Sequence, residues 1–477
     1  MPAVRGEPMS DALHWLPATE LAALIRARKL SPVELTEALL ARIERLNVKI
    51  NAFCTFTADA ARQGAKIAEA AVMHGEPLGA LRGVPVSIKD VLFTRGIVTT
   101  GGSRIFADFV PEEDAIAVER LKAAGAVILG KTNTPEFGHK SLAESPLFGA
   151  TRNPWHPDMT PGGSSSGAGA AVAAGLGPLA LGTDGGGSIR IPASFCGVYG
   201  FKPSFGRIPS GPGFPGWETF TVPAPMTRTV RDAALMLDVL AGPDDRDRHS
   251  LPAETGSYLA ACDEPIQGWS VAWSPDLGYA QVDPEVARVT EEAAAVFEAL
   301  GCRVETVATG WENPEETFWT MAAAEMYANW GDRLPEWRDR MDRTLVRYLE
   351  RGGGVTIGEY LRAARRRREF WAEVQGFLAR FDLLLTPTVP VPPFAGDGSW
   401  PREIAGEKVS PLGWMAFTYP FNLTGQPAAS IPVGFTRDGL PVGLQIVGRR
   451  HADRAVLAAS AAFEAALPWA DRRPVLD

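Results

Sequence analysis

Between Gly162 and Ser204 the chain reads GGSSSGAGAAVAAGLGPLALGTDGGGSIRIPASFCGVYGFKPS, two glycine/serine clusters held apart by a small, apolar run. A flexible linker would stay polar, whereas AAVAAGLGPLALG suits a helix packed closely on a sheet and then a buried strand. Glycine admits positive φ and lets backbone N–H groups approach a ligand with no Cβ in the way. The serines add hydroxyls, so each cluster can offer both donors and a nucleophile. Four readings are open: a surface loop without chemistry, a phosphate cradle, a G-x-S-x-G nucleophile elbow, or a serine nucleophile served by a second serine and a lysine. Neither cluster spells G-x-x-x-x-G-K-[ST] or G-x-G-x-x-G, and Ser188 in GGSIR lacks the closing glycine of an elbow. A suitably placed lysine would favour the fourth reading, which has precedent among convergent hydrolases.

Such a lysine lies upstream, in LRGVPVSIKDVLF. Val84 to Ile88 reads as a short buried strand with Lys89 at its C-terminal end. An ammonium flanked by apolar runs must be paired or lose its proton. Asp90 is the candidate partner, which would make Lys89 one half of a structural salt bridge.

Taken together, GVPVSIKD, GGSSSGAGAAVAAG and GTDGGGSIRIPASFCGVYGFKPS resemble the amidase signature family of serine hydrolases. KTNTPEFG, NPWHPDMTPGGSSSG, PAPMTRTVRDAA and DLLLTPT fit the same pattern, and the resemblance extends from the N-terminal helices to PVGLQIVGRRHAD. It implies Ser188 as nucleophile, Ser164 as a bridging serine in a cis peptide and Lys89 as base. It also implies an oxyanion hole from the backbone of Gly185, Gly186, Gly187 and Ser188. Asp184 and Arg190 match residues that brace that loop, and Gly138 matches a position lining the acyl-side pocket. Gly185 departs from the Thr, Ile or Val more usual there, which implies a more mobile loop.

The chemistry can be argued apart from the family. Amide hydrolysis needs a nucleophile, a proton acceptor that later protonates the leaving amine, and donors aimed at the tetrahedral oxyanion. A neutral Lys89 acting through the Ser164 hydroxyl would take the Ser188 proton and return it to the amine, so histidine is unnecessary. The six histidines are His14, His74, His139, His156, His249 and His451. His139 and His156 lie near the site in sequence and leave a histidine-based triad open. No pair has zinc-site spacing, and neither metal nor cofactor is expected. Cys196 offers a thiol nucleophile as a rival; with Cys54, Cys262 and Cys302 it forms neither a CxxC motif nor a disulfide framework.

Strands and helices alternate along the chain. Ala115 to Ala124, Ala126 to Leu129, Val271 to Trp273, Pro284 to Leu300 and Arg303 to Val307 read as helix, strand, strand, helix and strand. Ser31-Pro32-Val33-Glu34 reads as an N-cap with a proline at the first helical position and a capping-box glutamate. The expected fold is a single large α/β/α domain, residues 1–477, with a central twisted, mostly parallel mixed sheet covered by helices on both faces. Residues 311–380 are expected to form a helical cap region within it. There Trp319, Met321, Met326, Tyr327 and Trp330 are divided between core and substrate entrance, and Arg362 with Arg365 to Arg368 reads as a solvated helix face.

A net charge of −9 argues against a general nucleic-acid binder. The absence of a membrane-length apolar run and the few cysteines make a soluble, cytoplasmic protein the expectation. The expected function is amidohydrolysis of aryl or alkyl amides, with carbamates (urethanes) and esters within reach of the same chemistry, in a chain that can pair as a homodimer. The rivals are the glutaminase subunit of a tRNA-dependent amidotransferase, whose usual sequence GPGFPGWETFTVPAPMTRTV does not resemble, and a scaffold with a degenerate site.

Overall fold

Eleven strands build one mixed sheet. The protein is described here from a computed structural model over residues 13–476; the outermost residues of the expected 1–477 unit lie outside the described residues. In chain order the strands are β1 (Phe53–Phe56), β2 (Pro85–Lys89), β3 (Val127–Thr132), β4 (Leu179–Asp184), β5 (Tyr199–Lys202), β6 (Val222–Thr227), β7 (Ser270–Trp273), β8 (Arg303–Thr306), β9 (Leu383–Pro387), β10 (Ala428–Phe435) and β11 (Pro441–Gly448). Their spatial order is β1-β3-β2-β4-β6-β5-β10-β11-β9-β7-β8. Parallel pairings fall in two blocks, β3-β2-β4 and β9-β7-β8. Antiparallel pairings join them through the centre and add β1 at the edge.

The two-residue period of a strand divides the core. Val86, Ile88, Leu179, Leu181, Leu383, Leu385, Leu444 and Ile446 enter one layer with the helices Val230–Leu240, Pro284–Ala299 and Asp453–Ala466. Residues of the opposite parity face other helices: Ala180 packs with Ser166–Ala173 and Arg190–Cys196, and Leu384 and Val447 pack with Glu315–Trp330 and Ile357–Leu378. The result is three layers, α/β/α. The run AAVAAG serves this closeness, since the helix Ser166–Ala173 is buried at every residue.

Local signals act mostly as the sequence suggests. Ser31 Oγ accepts the N–H groups of Val33 and Glu34 at the start of Pro32–Ile50, and Asp283 caps Pro284–Ala299 likewise. The Ser31 hydroxyl itself donates to Glu69 at 2.5 Å, and a complete capping box forms instead at Thr356 with Glu359. Gly353 ends one helix of the 311–380 segment and Ile357 begins the next. Among the described residues no helix is long and apolar enough to cross a membrane.

Candidate active site

Lys89 and Thr183 meet because β2 and β4 run parallel in register, Ile88 beside Leu181, so their C-terminal ends finish together. Lys89 Nζ donates to Ser164 Oγ at 2.7 Å and to Thr183 Oγ1 at 2.8 Å, in a fully buried position. Ser164 precedes the helix Ser166–Ala173 and follows a cis peptide after Gly163. Burial pushes the Lys89 amine down to about 7, against the pull of the Asp184 charge.

The expected Lys89–Asp90 salt bridge does not form. Asp90 is the first residue of the turn that follows β2. It accepts the Thr100 N–H at 3.1 Å and the Thr100 hydroxyl at 2.5 Å, and its other oxygen lies 4.0 Å from Lys131.

The glycine loop after β4 is folded around a buried ion pair. Asp184 accepts Arg190 Nη2 at 2.9 Å and Nε at 3.1 Å, the N–H of Gly187 at 2.8 Å and that of Ile189 at 3.0 Å. Desolvation opposes its charge, but Arg190, Lys202 and Asn422 together hold the carboxyl well below the usual range. Arg190 in turn donates to the Thr418 carbonyl, Gln445 and Asn422. Thr418 Oγ1 donates to the Gly186 carbonyl at 2.7 Å. Gly187 needs to be glycine: its φ is +124°, and a Cβ would stand 2.4 Å from Thr418 Oγ1. Its N–H is already given to Asp184, so of the four amides expected in the oxyanion hole this one braces the loop instead.

Ser188 sits where two cavities meet. The wider, of about 670 Å³, is lined by Ser164, Thr183, Gly185, Phe214 and Met326 among others; the narrower, of about 120 Å³, by Gly186, Phe318, Trp319, Tyr348 and Trp414. Gly138, Ser188 and Trp217 border both. The 311–380 segment thus contributes Trp319 and Met326 to the cavities. Met321 is core, Trp330 stacks on Phe137 with ring centroids 3.8 Å apart, and Tyr327 lies against Gly331 and Gly353. The arginine face is not uniformly solvated: Arg367 turns inward to the Leu423 carbonyl and to Thr219, with its guanidinium over the Phe220 ring.

Neither nearby histidine serves Ser188. His139 Nδ1 bonds the Glu136 carbonyl and Nε2 the Thr344 hydroxyl, each at 2.7 Å, and burial pushes the ring down to about 4. His156 is exposed. The Cys196 thiol is buried, pushed up by desolvation, and directed at the Pro161 carbonyl.

Sequence reasoning misses three kinds of residue. Thr183 shares Lys89 with Ser164, and its signal is its place at the end of a strand beside Asp184. Thr418, Asn422 and Gln445 hold the loop from far along the chain, with no local mark. Glu136 accepts the Ser103 hydroxyl and the Asp342 N–H, both at 2.6 Å, and so ties the Gly138 turn to the helical segment; burial pushes its carboxyl up to about 7.

A family model described as Amidase matches residues 34–457. An acylamidase of Rhodococcus erythropolis is 42% identical over 473 residues, covering 97% of this chain and 98% of the relative. A glutamyl-tRNA(Gln) amidotransferase component of Moorella thermoacetica is 38% identical, covering 97% of this chain and 99% of the relative. Among solved structures, a bacterial aryl acylamidase of the amidase signature enzymes superposes with a TM-score of 0.92 at 35% identity, covering 97% of this chain and all of the other.

Proposed function

Because the chain belongs to the amidase signature family and is an amide-hydrolysing enzyme, we propose that it cleaves aryl and alkyl amides through an acyl-enzyme on Ser188, with Lys89 and Ser164 as its proton relay. The observation that carries this reading is the 2.7 Å bond from a buried Lys89 amine to Ser164 Oγ, on the wall of the cavity that also exposes Ser188. A lysine held near pH 7 is neutral in a large fraction of molecules and can accept a proton. The Ser188 hydroxyl attacks the substrate carbonyl carbon while its proton passes to Ser164 Oγ, whose own proton passes to Lys89. The amides of Gly185, Gly186 and Ser188 receive the oxyanion. As the carbon–nitrogen bond breaks, the relay reverses and the amine leaves protonated. Water then attacks the acyl-enzyme by the same route and frees the acid.

Carbamates and esters present the same carbonyl to the same donors and are included as substrates. No step requires a metal or an organic cofactor. We place the enzyme in the cytoplasm.

The test is a panel of anilides, aliphatic amides, carbamates and esters with the purified protein. Anilide hydrolysis is expected, lost by roughly 10³-fold or more in Ser188→Ala, with Ser188 the site labelled by a fluorophosphonate. Activity that survives Ser188→Ala and falls on thiol alkylation would overturn it.

The amidotransferase relative supports a second reading, a glutaminase that works with partner chains. Glutamine as the sole good substrate of the isolated chain would establish that reading in place of the first.

A further inference from the structure

Of the three residues that border both cavities at Ser188, Gly138, Ser188 and Trp217, only Trp217 is large, and it lies in space left free by the glycine loop. A Cβ on Gly185 would stand 2.6 Å from Trp217 Cε3 and 2.9 Å from Thr221 Oγ1. The indole therefore occupies the space that a side chain at position 185 would take. It is held there from the far side: Nε1 donates to the Ala322 carbonyl at 3.0 Å, and the ring meets Phe318 and Tyr348 edge-on, with centroids 5.9 and 6.5 Å away. Phe318 and Tyr348 belong to the narrow cavity, and Trp217 lines both.

The proton relay fixes which cavity takes which half of the substrate. The leaving nitrogen must come within hydrogen-bond reach of Ser164 Oγ to be protonated. Ser164 and Thr183 line the wide cavity and are not among the residues of the narrow one. The amine then departs into the wide cavity, and the acyl group lies in the narrow one against Phe318, Trp319 and Trp414. A closed apolar cavity of roughly 150 Å³ takes one benzene ring; the narrow cavity, partly open and of about 120 Å³, gives close contact to a single ring or a short alkyl chain.

We infer that Trp217 is the acyl-length determinant of this enzyme: its indole, admitted by the missing side chain at Gly185, closes the acyl pocket against the wide cavity and leaves the amine side open. This rests on the Ser188, Ser164 and Lys89 reading above.

The test measures kcat/KM of the full chain on p-nitroanilides from acetyl to octanoyl, and on acetyl amides of amines of increasing size. The wild type is expected to lose about tenfold or more between the short and the long acyl chains. Trp217→Ala should remove most of that loss, and should change the amine series, whose cavity Trp217 also borders, by less than it changes the acyl series. Trp217→Phe keeps an aromatic wall and forfeits the bond to Ala322, and should keep the short-chain preference. Gly185→Ala should cost about tenfold at every acyl length by displacing the indole, and Trp217→Ala in the same chain should recover most of it.

An octanoyl-to-acetyl ratio unchanged in Trp217→Ala would overturn the inference. So would a Trp217→Phe variant as permissive as Trp217→Ala, because the tie to Ala322 would then set the limit. A double variant no better than Gly185→Ala would also overturn it. A wild-type chain inactive on every substrate of both series would instead sink the underlying reading of acyl transfer through Ser188.

Discussion

Two lysines lie buried on neighbouring parallel strands, Lys89 at the end of β2 and Lys131 near the end of β3, opposite Ile88. Desolvation lowers both, Lys89 to about 7 and Lys131 to about 8, so burial does not tell them apart. Their acceptors do. Lys131 Nζ donates to the Leu92 carbonyl at 2.5 Å and to the Thr94 and Thr99 hydroxyls at 3.0 and 2.9 Å, with the Asp90 carboxylate 4.0 Å away. A carbonyl and a carboxylate only accept, so this shell is satisfied by an ammonium. Lys89 has two hydroxyls, which can donate as well as accept and so remain bonded whether the amine is charged or neutral. A buried amine can exchange protons where its partners can reverse the direction of their hydrogen bonds, and becomes structural where they cannot.

The sharpest way to break that comparison is to remove each amine. Lys89→Met should lower kcat/KM by roughly 10²- to 10⁴-fold and change stability by no more than about 1 kcal/mol, read from parallel rate and denaturant measurements. Lys131→Met should do the reverse, destabilising by about 3 kcal/mol or more because Asp90 loses its countercharge, with the folded fraction keeping activity within about tenfold of wild type. Equal loss of activity in two equally stable variants would erase the distinction.

A pH profile sharpens it. The working form of Lys89 is the neutral amine, whose population grows as pH rises through about 7. Thus kcat/KM should fall about tenfold per unit on the acid side and level off above neutrality. A profile flat from pH 5 to 9 would count against Lys89 as base.

The smallest effect is expected at Thr183. Replacing it by Val removes one acceptor from the charged form, so the inflection should move to lower pH and kcat/KM should drop roughly two- to tenfold. An inflection moving upward would mean that Thr183 favours the neutral amine.

Much of this arrangement is legible locally. The alternation of strands and helices announces the layers, and the small residues of AAVAAG mark a helix pressed on the sheet. GTDGGGS announces a loop of bare amides, and an apolar strand ending in lysine announces an amine under desolvation. What the chain hides is direction. Asp90, next in the chain, reads as the partner of Lys89, yet in the turn after β2 its carboxylate is held by Thr100 and lies beside Lys131. Arg367 reads as one of an exposed row although it turns inward to Thr219 and Leu423. Gly187 reads as an oxyanion donor although its amide belongs to Asp184. Nothing local reveals that Trp217 fills the space beside Gly185.

The linear order of residues was enough to determine the family, the layered fold and the chemical kind of each group at the site, because those follow from side-chain type, two-residue and helical periodicity, and glycine's freedom at a turn. The tertiary structure alone decided which hydroxyls hold the amine, which amide is spent on a carboxylate and how the space around Ser188 is divided. Those outcomes depend on atoms brought together from positions 89, 164, 183, 217, 322 and 418, whose separations in the chain carry no trace of their distances in space.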